Sequence, residues 1–282
     1  MKKILNIAGT QFEMWISDKR MFSLILLVFF IDQQITTGLC ENAYIYGGKL
    51  GIFEPYIATT GSMWLQIIIP VIYIVLMYDY PARYGGRIFY LIRSGRDTWF
   101  YGQVVFSAFC ALLYTFLIFL ITSVLCAGHI SFQNSWSGVI TDFAKFDPNG
   151  TNAAANLIKP SAYYQGSPLV VFGYNFLFSF MNLMLINMLQ LALFSYNIRK
   201  AGVFINLGVQ TVGAVLAFVT VKIKWFFPSA NTIFAMHFEN YISAPKYPAY
   251  ISVIYFGVVI VLLWIVGLLG IAGARLADHT EG

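Results

Sequence analysis

Charge is what this sequence has least of. Asp, Glu, Lys and Arg make up 10% of its 282 residues, against roughly a quarter in soluble domains, while 59% are hydrophobic and the mean hydropathy is +0.72. A water-soluble globule is excluded, and an integral membrane protein is the class that remains. Cysteine is scarce too. Cys40, Cys110 and Cys126 show no CxxC spacing, two of them fall inside a predicted span, and they read as small hydrophobes. No GxxxxGK(S/T) occurs, so nothing here cradles nucleotide phosphates, and no polar segment is long enough for an ATPase domain. An intramembrane enzyme would need paired acids, a Ser/Lys or Ser/His dyad, or HExxH within its spans, and against these the chain offers Asp32 almost alone. No internal repeat, low-complexity tract or second-domain boundary is visible, so residues 1–282 read as a single transmembrane domain.

What the chain does have is long apolar runs. A helix needs about 20 apolar residues to cross roughly 30 Å of hydrocarbon, and runs of that length predict helices and not barrel strands. The expectation is an all-α polytopic membrane protein with six spans: Met21–Leu39, Met63–Tyr78, Val104–Ala127, Leu169–Phe194, Val203–Thr220 and Ala249–Ala272. Pro70 should bend the second by removing one backbone bond. Residues 3–17 predict an interfacial helix, with Ile4, Leu5, Ala8, Phe12, Trp15 and Ile16 on one face and Asn6, Thr10, Glu13 and Ser17 opposite. The N-terminus lacks the uninterrupted apolar core of a cleaved signal and should be retained. Residues 40–61 read as a polar, glycine-containing loop, and 128–167 as an extracellular loop. Residues 221–248, broken by Pro228 and Pro245, read as outer broken helices, re-entrant-like, that dip into the interface without crossing.

Six spans put both termini on one side. With the termini cytoplasmic, every arginine (Arg20, Arg83, Arg87, Arg93, Arg96, Arg199 and Arg275) falls on the inner side, which is the orientation the positive-inside rule selects. The net charge of +5 is explained by that orientation, so nucleic acid is not an expected partner, whereas membrane lipid is. The location is a cell membrane, crossed several times.

Three groups of residues stand out as candidates. Asp32, with Gln33 and Gln34, lies either near mid-bilayer, where a carboxylate is expensive and by default functional, or at the outer mouth if the first span starts earlier or is short; either way the three should line the dimer cavity and not touch lipid. Asn206 and Gln210, four residues apart, share one helix face, and with Thr211, Asn182 and Asn187 they either touch substrate or bond between helices. His237 and Glu239 lack a further ligand at metal-binding spacing, so no metal site is expected. The third group is the basic, aromatic island DYPARYGGRIFYLIRSGRDTWFYGQ, residues 79–103, which carries four arginines. Gly85-Gly86 and Ser94-Gly95 bracket an apolar ridge of Ile88, Phe89, Leu91 and Ile92, and such a ridge at the cytoplasmic face needs lipid or a protein groove to cover it.

The order of these parts resembles the permease subunit of an ATP-binding-cassette transporter of the second export type. Asp79 before the helix, Gly85-Gly86 at its start and Ser94-Gly95-Arg96 after it are similar to the family's features there, although Asp79 followed by Pro81 departs from the commoner glutamate in a continuous helix. The resemblance implies that residues 84–94 are a coupling helix, with Arg87, Ile88, Phe89, Leu91, Ile92 and Arg93 docking into a separate ATPase subunit. It implies a second permease half, identical or homologous, and no cofactor in this chain, with ATP and Mg in the ATPase. It further implies that the chain is no enzyme itself and exports an amphipathic or hydrophobic substrate (a peptide, drug-like compound or lipid-linked molecule) by alternating access, in a bacterial inner or plasma membrane. The alternatives are an intramembrane enzyme, a secondary transporter, or an immunity or sensor protein that transports nothing.

Overall fold

The computed structural model describes residues 1–81, 95–142, 157–219, 221–238 and 245–280, the side chains of 199 and 274–280 excepted. The segment 84–94 expected to be the coupling helix therefore lies outside the described residues. Helix α1 (Lys2–Ile16) forms as predicted, but the face it buries is set by Ile7 and Ala8, while Leu5 and Ile16 are exposed. Its partner is α6 (Arg96–Leu125), where Gly102 leaves room for Ile7.

Asp18 starts the first span by accepting a hydrogen bond from the Arg20 N–H at 2.9 Å. A short 3₁₀ turn then leads into α2 (Ser23–Ile31), a π-helical turn at Asp32–Thr36 and α3 (Thr37–Ile45), which together form one rod over Lys19–Ile45. Leu27, Ile31, Ile35, Leu39 and Ala43 are its buried stripe. Because a four-residue repeat drifts about 40° per step around an α-helix, the wider π turn winds part of that drift back and keeps the stripe on the bundle. The span thus continues past the predicted Leu39.

Residues 40–61 are correspondingly not a loop. After β1 (Leu50–Gly51) comes α4 (Glu54–Gly61), with Pro55 in its first turn, where its missing N–H costs nothing. Helix α5 (Met63–Leu76) leaves α4 at 88°. That break sits at Ser62, whose extended backbone separates the two helices, and Pro70 lies inside α5.

The third span, α6, starts well before the predicted Val104, at Gly95, whose positive φ of 83° only glycine adopts readily. Strand β2 (Ile130–Ser131) pairs in parallel with β1, Leu50 opposite Ile130. The segment predicted as an extracellular loop also holds two short helices, α7 (Gly138–Thr141) and α8 (Pro160–Tyr163). Then follow α9 (Pro168–Ser195), α10 (Arg199–Ala217), a 3₁₀ turn Lys222–Phe226, α11 (Pro228–Asn231), a second 3₁₀ turn Phe234–His237 and α12 (Ala249–Thr280). The short helices of 221–238 are indeed broken; Pro228, Asn231, Phe234 and His237 are buried within the protein, while Ile223 and Phe226 are exposed.

Five of these helices are long and apolar enough to cross a membrane, and the bent pair α4–α5 makes a sixth if counted as one span. The chain is an all-α membrane protein. Helix α9 lies at the centre, packed on α4, α6, α10 and α12. Lipid is as apolar as leucine, so close packing and interhelical hydrogen bonds, more than the hydrophobic effect, hold such helices together. Glycine serves the first need: a Cβ on Gly267 would lie 2.9 Å from Phe100, so α12 approaches α6 and α9 closely there.

Candidate functional site

Asp32 lies in the middle of the first long rod. It is the fourteenth residue of the 27-residue rod, about 20 Å along the helix axis from Lys19, and so at its midpoint. The Thr36 hydroxyl donates to Asp32 Oδ1 at 2.8 Å, and Asp32 is half-buried, while Gln33 and Gln34 are exposed on the outside of the protomer. Phe22, Leu26 and Phe29 lead up to them along the same exposed side. The three polar residues therefore line no cavity inside the single chain. They form a polar patch halfway along an apolar helix surface.

Asn206 and Gln210 both bond to α9. Both are fully buried. Gln210 and Asn182 exchange amide hydrogen bonds, Gln210 Nε2 to Asn182 Oδ1 at 2.9 Å and Asn182 Nδ2 to Gln210 Oε1 at 3.2 Å. One turn on, Asn206 Nδ2 donates to Ile186 O at 3.1 Å, and one turn further Gly202 lies against Gln190. Helices α9 and α10 are thus fastened at four-residue intervals. Asn187 joins the other side of α9 to the bundle, donating to the Tyr73 hydroxyl at 2.6 Å and to Ser107 O at 3.1 Å.

The inner half of this layer was not foreseen. Trp99 packs on Phe194, and Ser107 accepts from Asn187, so Gln103 on α6 lies level with Gln190 on α9. Both side chains are more than nine-tenths buried, and neither amide has a hydrogen-bond partner among the described residues. Leaving such a group unsatisfied costs about 1–3 kcal/mol, which packing alone gives no reason to retain. A glutamine inside an apolar span is itself the signal that sequence reading could have used. Towards the other end of the layer, Thr60, Gln66, Ser179, Asn182 and Thr232 line a small cavity of about 20 Å³ under the α4–α5 bend.

At the end of the bundle next to residue 82, Arg20 pairs with Asp79 and lies over the Tyr78 ring, 5.4 Å from its centroid. Trp15 Nε1 donates to Leu76 O at 3.2 Å, and the Tyr80 hydroxyl to Gln103 O at 3.1 Å. These bonds fasten α1, the first span, α5 and α6 together just before residue 82. Arg87, Ile88, Phe89, Leu91, Ile92 and Arg93 lie outside the described residues.

The remaining polar centre joins the outer helices to α12. His237 Nδ1 faces the carbonyls of Ile233 and Phe234, each at 3.1 Å, and its Nε2 is 2.8 Å from Ser252 Oγ. Although these are the atoms of a serine–histidine dyad, the Ser252 hydroxyl donates to Asn231 Oδ1 at 2.7 Å, and all three residues are fully enclosed. As folded, the centre is a brace. Among the described residues no group of His, Cys, Asp and Glu is placed to hold a metal ion. No protein family, curated protein or solved structure matches the chain.

Proposed function

We propose that this chain is the membrane-spanning permease half of an ATP-driven exporter, working with a second permease copy, identical or homologous, and a separate ATPase subunit that holds ATP and Mg. The supporting observation is the outward-facing patch of Asp32, Gln33 and Gln34 at mid-rod. Polar groups at that depth are expensive against lipid and face a partner or a watery cavity instead, so a second copy set against this surface encloses a polar route that one chain lacks. Both termini and the basic island face the cytoplasm of a bacterial inner or plasma membrane. The inner clasp of Arg20, Asp79, Trp15 and Tyr80 gives residues 84–94 a stiff base, so that a push from the ATPase on Ile88, Phe89 and Ile92 tilts the spans. The aromatic, apolar surfaces suit an amphipathic or hydrophobic substrate.

The test uses two differently tagged copies expressed together in native membranes. Capture of one should retain the other and an ATPase. Replacing Gln33 and Gln34 by Leu should loosen the permease pair, and Ile88→Asp with Phe89→Asp should release the ATPase. A chain that purifies alone and still exports would overturn the proposal.

A further inference from the structure

Pro70 lies inside α5 and has no N–H, so Gln66 O, four residues earlier, loses the donor that an α-helix would give it. Inside a membrane bundle such a carbonyl is satisfied by a neighbouring side chain or by an ordered water. Gln66 and Pro70 both line the small cavity under the α4–α5 bend, together with Ser179 and Asn182 of α9. Several donors on its wall are already turned elsewhere. Gln66 Nε2 donates to Thr60 O at 2.6 Å, the Thr60 hydroxyl faces Tyr56 O and Ile57 O at 3.1 Å each, and the Thr232 hydroxyl donates to Ser229 O at 2.7 Å. The Thr60 and Thr232 oxygens keep lone pairs that can accept, and the Ser179 hydroxyl adds a group on the α9 wall that both donates and accepts.

We propose that this cavity is the site of a single buried water that takes the place of the amide missing at Pro70. Its volume of about 20 Å³ exceeds the roughly 10–15 Å³ that one water needs and leaves no room for a larger ligand. The water donates one hydrogen to Gln66 O and the other to the hydroxyl oxygen of Thr60 or Thr232, and it accepts from Ser179. It thereby has the two to four polar partners of an internal water, and it ties α5 to α9 at the point where the backbone ladder of α5 is broken. Every residue on the wall is uncharged, so a bare cation would enter without a carboxylate to offset its burial. This inference stands on the cavity and on Pro70 and is independent of the proposed transport role.

The test is a crystal structure of the full chain at a resolution that shows ordered water, solved beside those of Pro70→Ala and Ser179→Val. In the unaltered protein one density peak is expected in the cavity, within about 2.7–3.2 Å of both Gln66 O and Ser179 Oγ. Pro70→Ala returns an N–H to Gln66 O and should lose the peak. Ser179→Val removes a partner, fills the space with a methyl group and should lose it too. Crystals grown in sodium chloride and in potassium chloride should show the same peak. An empty cavity, a direct bond from Ser179 to Gln66 O, a peak that persists in Pro70→Ala, or a peak that disappears when sodium is withdrawn would each overturn the proposal.

Discussion

His237 Nε2 lies 2.8 Å from Ser252 Oγ, and this contact joins the short outer helices to α12. The two carbonyls facing Nδ1 select the tautomer with its proton there, which leaves Nε2 and Asn231 Oδ1 flanking one hydroxyl proton. Burial holds the imidazole below its ordinary range, and the nearby Lys224 charge acts in the same direction, against the two carbonyls. The Trp225, Phe178 and Tyr247 rings enclose it.

A histidine depressed in the folded state binds its proton more readily once unfolded. Its contribution is therefore complete above the unfolded value of about 6.5 and is lost as the pH falls from there towards the folded value. The thermal midpoint in detergent should drop between pH 7.5 and 5.5, and His237→Gln should flatten that part of the curve. Ser252→Ala should cost about 1 kcal/mol at neutral pH. If His237→Gln kept the full acid slope, the titrating group would lie elsewhere.

Gly102 faces Ile7, and a Cβ there would lie 2.7 Å from Ile7 Cγ2 and 2.9 Å from Ile7 Cβ. In an open helix Gly→Ala stabilises by about 1 kcal/mol, whereas overpacking costs about 1–3 kcal/mol. Gly102→Ala should therefore destabilise the protein, and Ile7→Ala added to it should restore part of the loss. Thermal unfolding of the four-member cycle reads this directly. A stabilising Gly102→Ala would mean that α1 does not seat on α6 there.

The long spans were legible because a run of apolar residues has few ways to satisfy its backbone inside lipid. Helices α5, α6, α9, α10 and α12 and most of the first rod were foreseen, with ends that moved by up to eight residues. The continuation of that rod to Ile45 and helix α4 were not. Glu41, Asn42 and the glycines after them look like a loop, yet Asn42 and Ala43 are buried against the rest of the protein, and tertiary packing overrides local polarity there. The break between α4 and α5 went unseen because Ser62 carries no mark such as a proline gives. For the candidate site, the polar character of Asp32, Asn206 and Gln210 was readable, but their facing was not. A π turn rotates Gln33 and Gln34 outward, and only the register of α9 against α10 shows that Gln210 meets Asn182.

Glu54 carries the outer clasp. Its enclosed carboxylate accepts from the Gly51 N–H at 2.9 Å, the Ser137 N–H at 2.6 Å and the Ser137 hydroxyl at 2.7 Å. It thereby ties the segment before α7 to the start of α4, beside the β1–β2 pair. Glu54→Ala would strand three donors and remove bonds to a charge, so the expected loss is about 3 kcal/mol. Glu54→Gln, which offers one accepting oxygen in place of two, should fall between. Limited proteolysis should then cut within 130–142 faster than in the unaltered protein. Unchanged protection in Glu54→Ala would show that strand pairing alone holds the loop.

The exchange of amide bonds between Asn182 and Gln210 separates a packing role from a substrate role. Asn182→Leu or Gln210→Leu alone leaves a buried amide without its partner and should cost about 1–3 kcal/mol. Replacing both removes the stranded group as well, and the double variant should recover much of that loss, with a coupling of about 0.6–1.7 kcal/mol as measured for hydrogen bonds between membrane helices. If the pair serves only to fasten α9 to α10, the double leucine variant should also keep its export activity. Recovery of stability without export would instead place the two amides on the substrate's route, since Asn182 also borders the cavity that Thr60, Gln66 and Thr232 line.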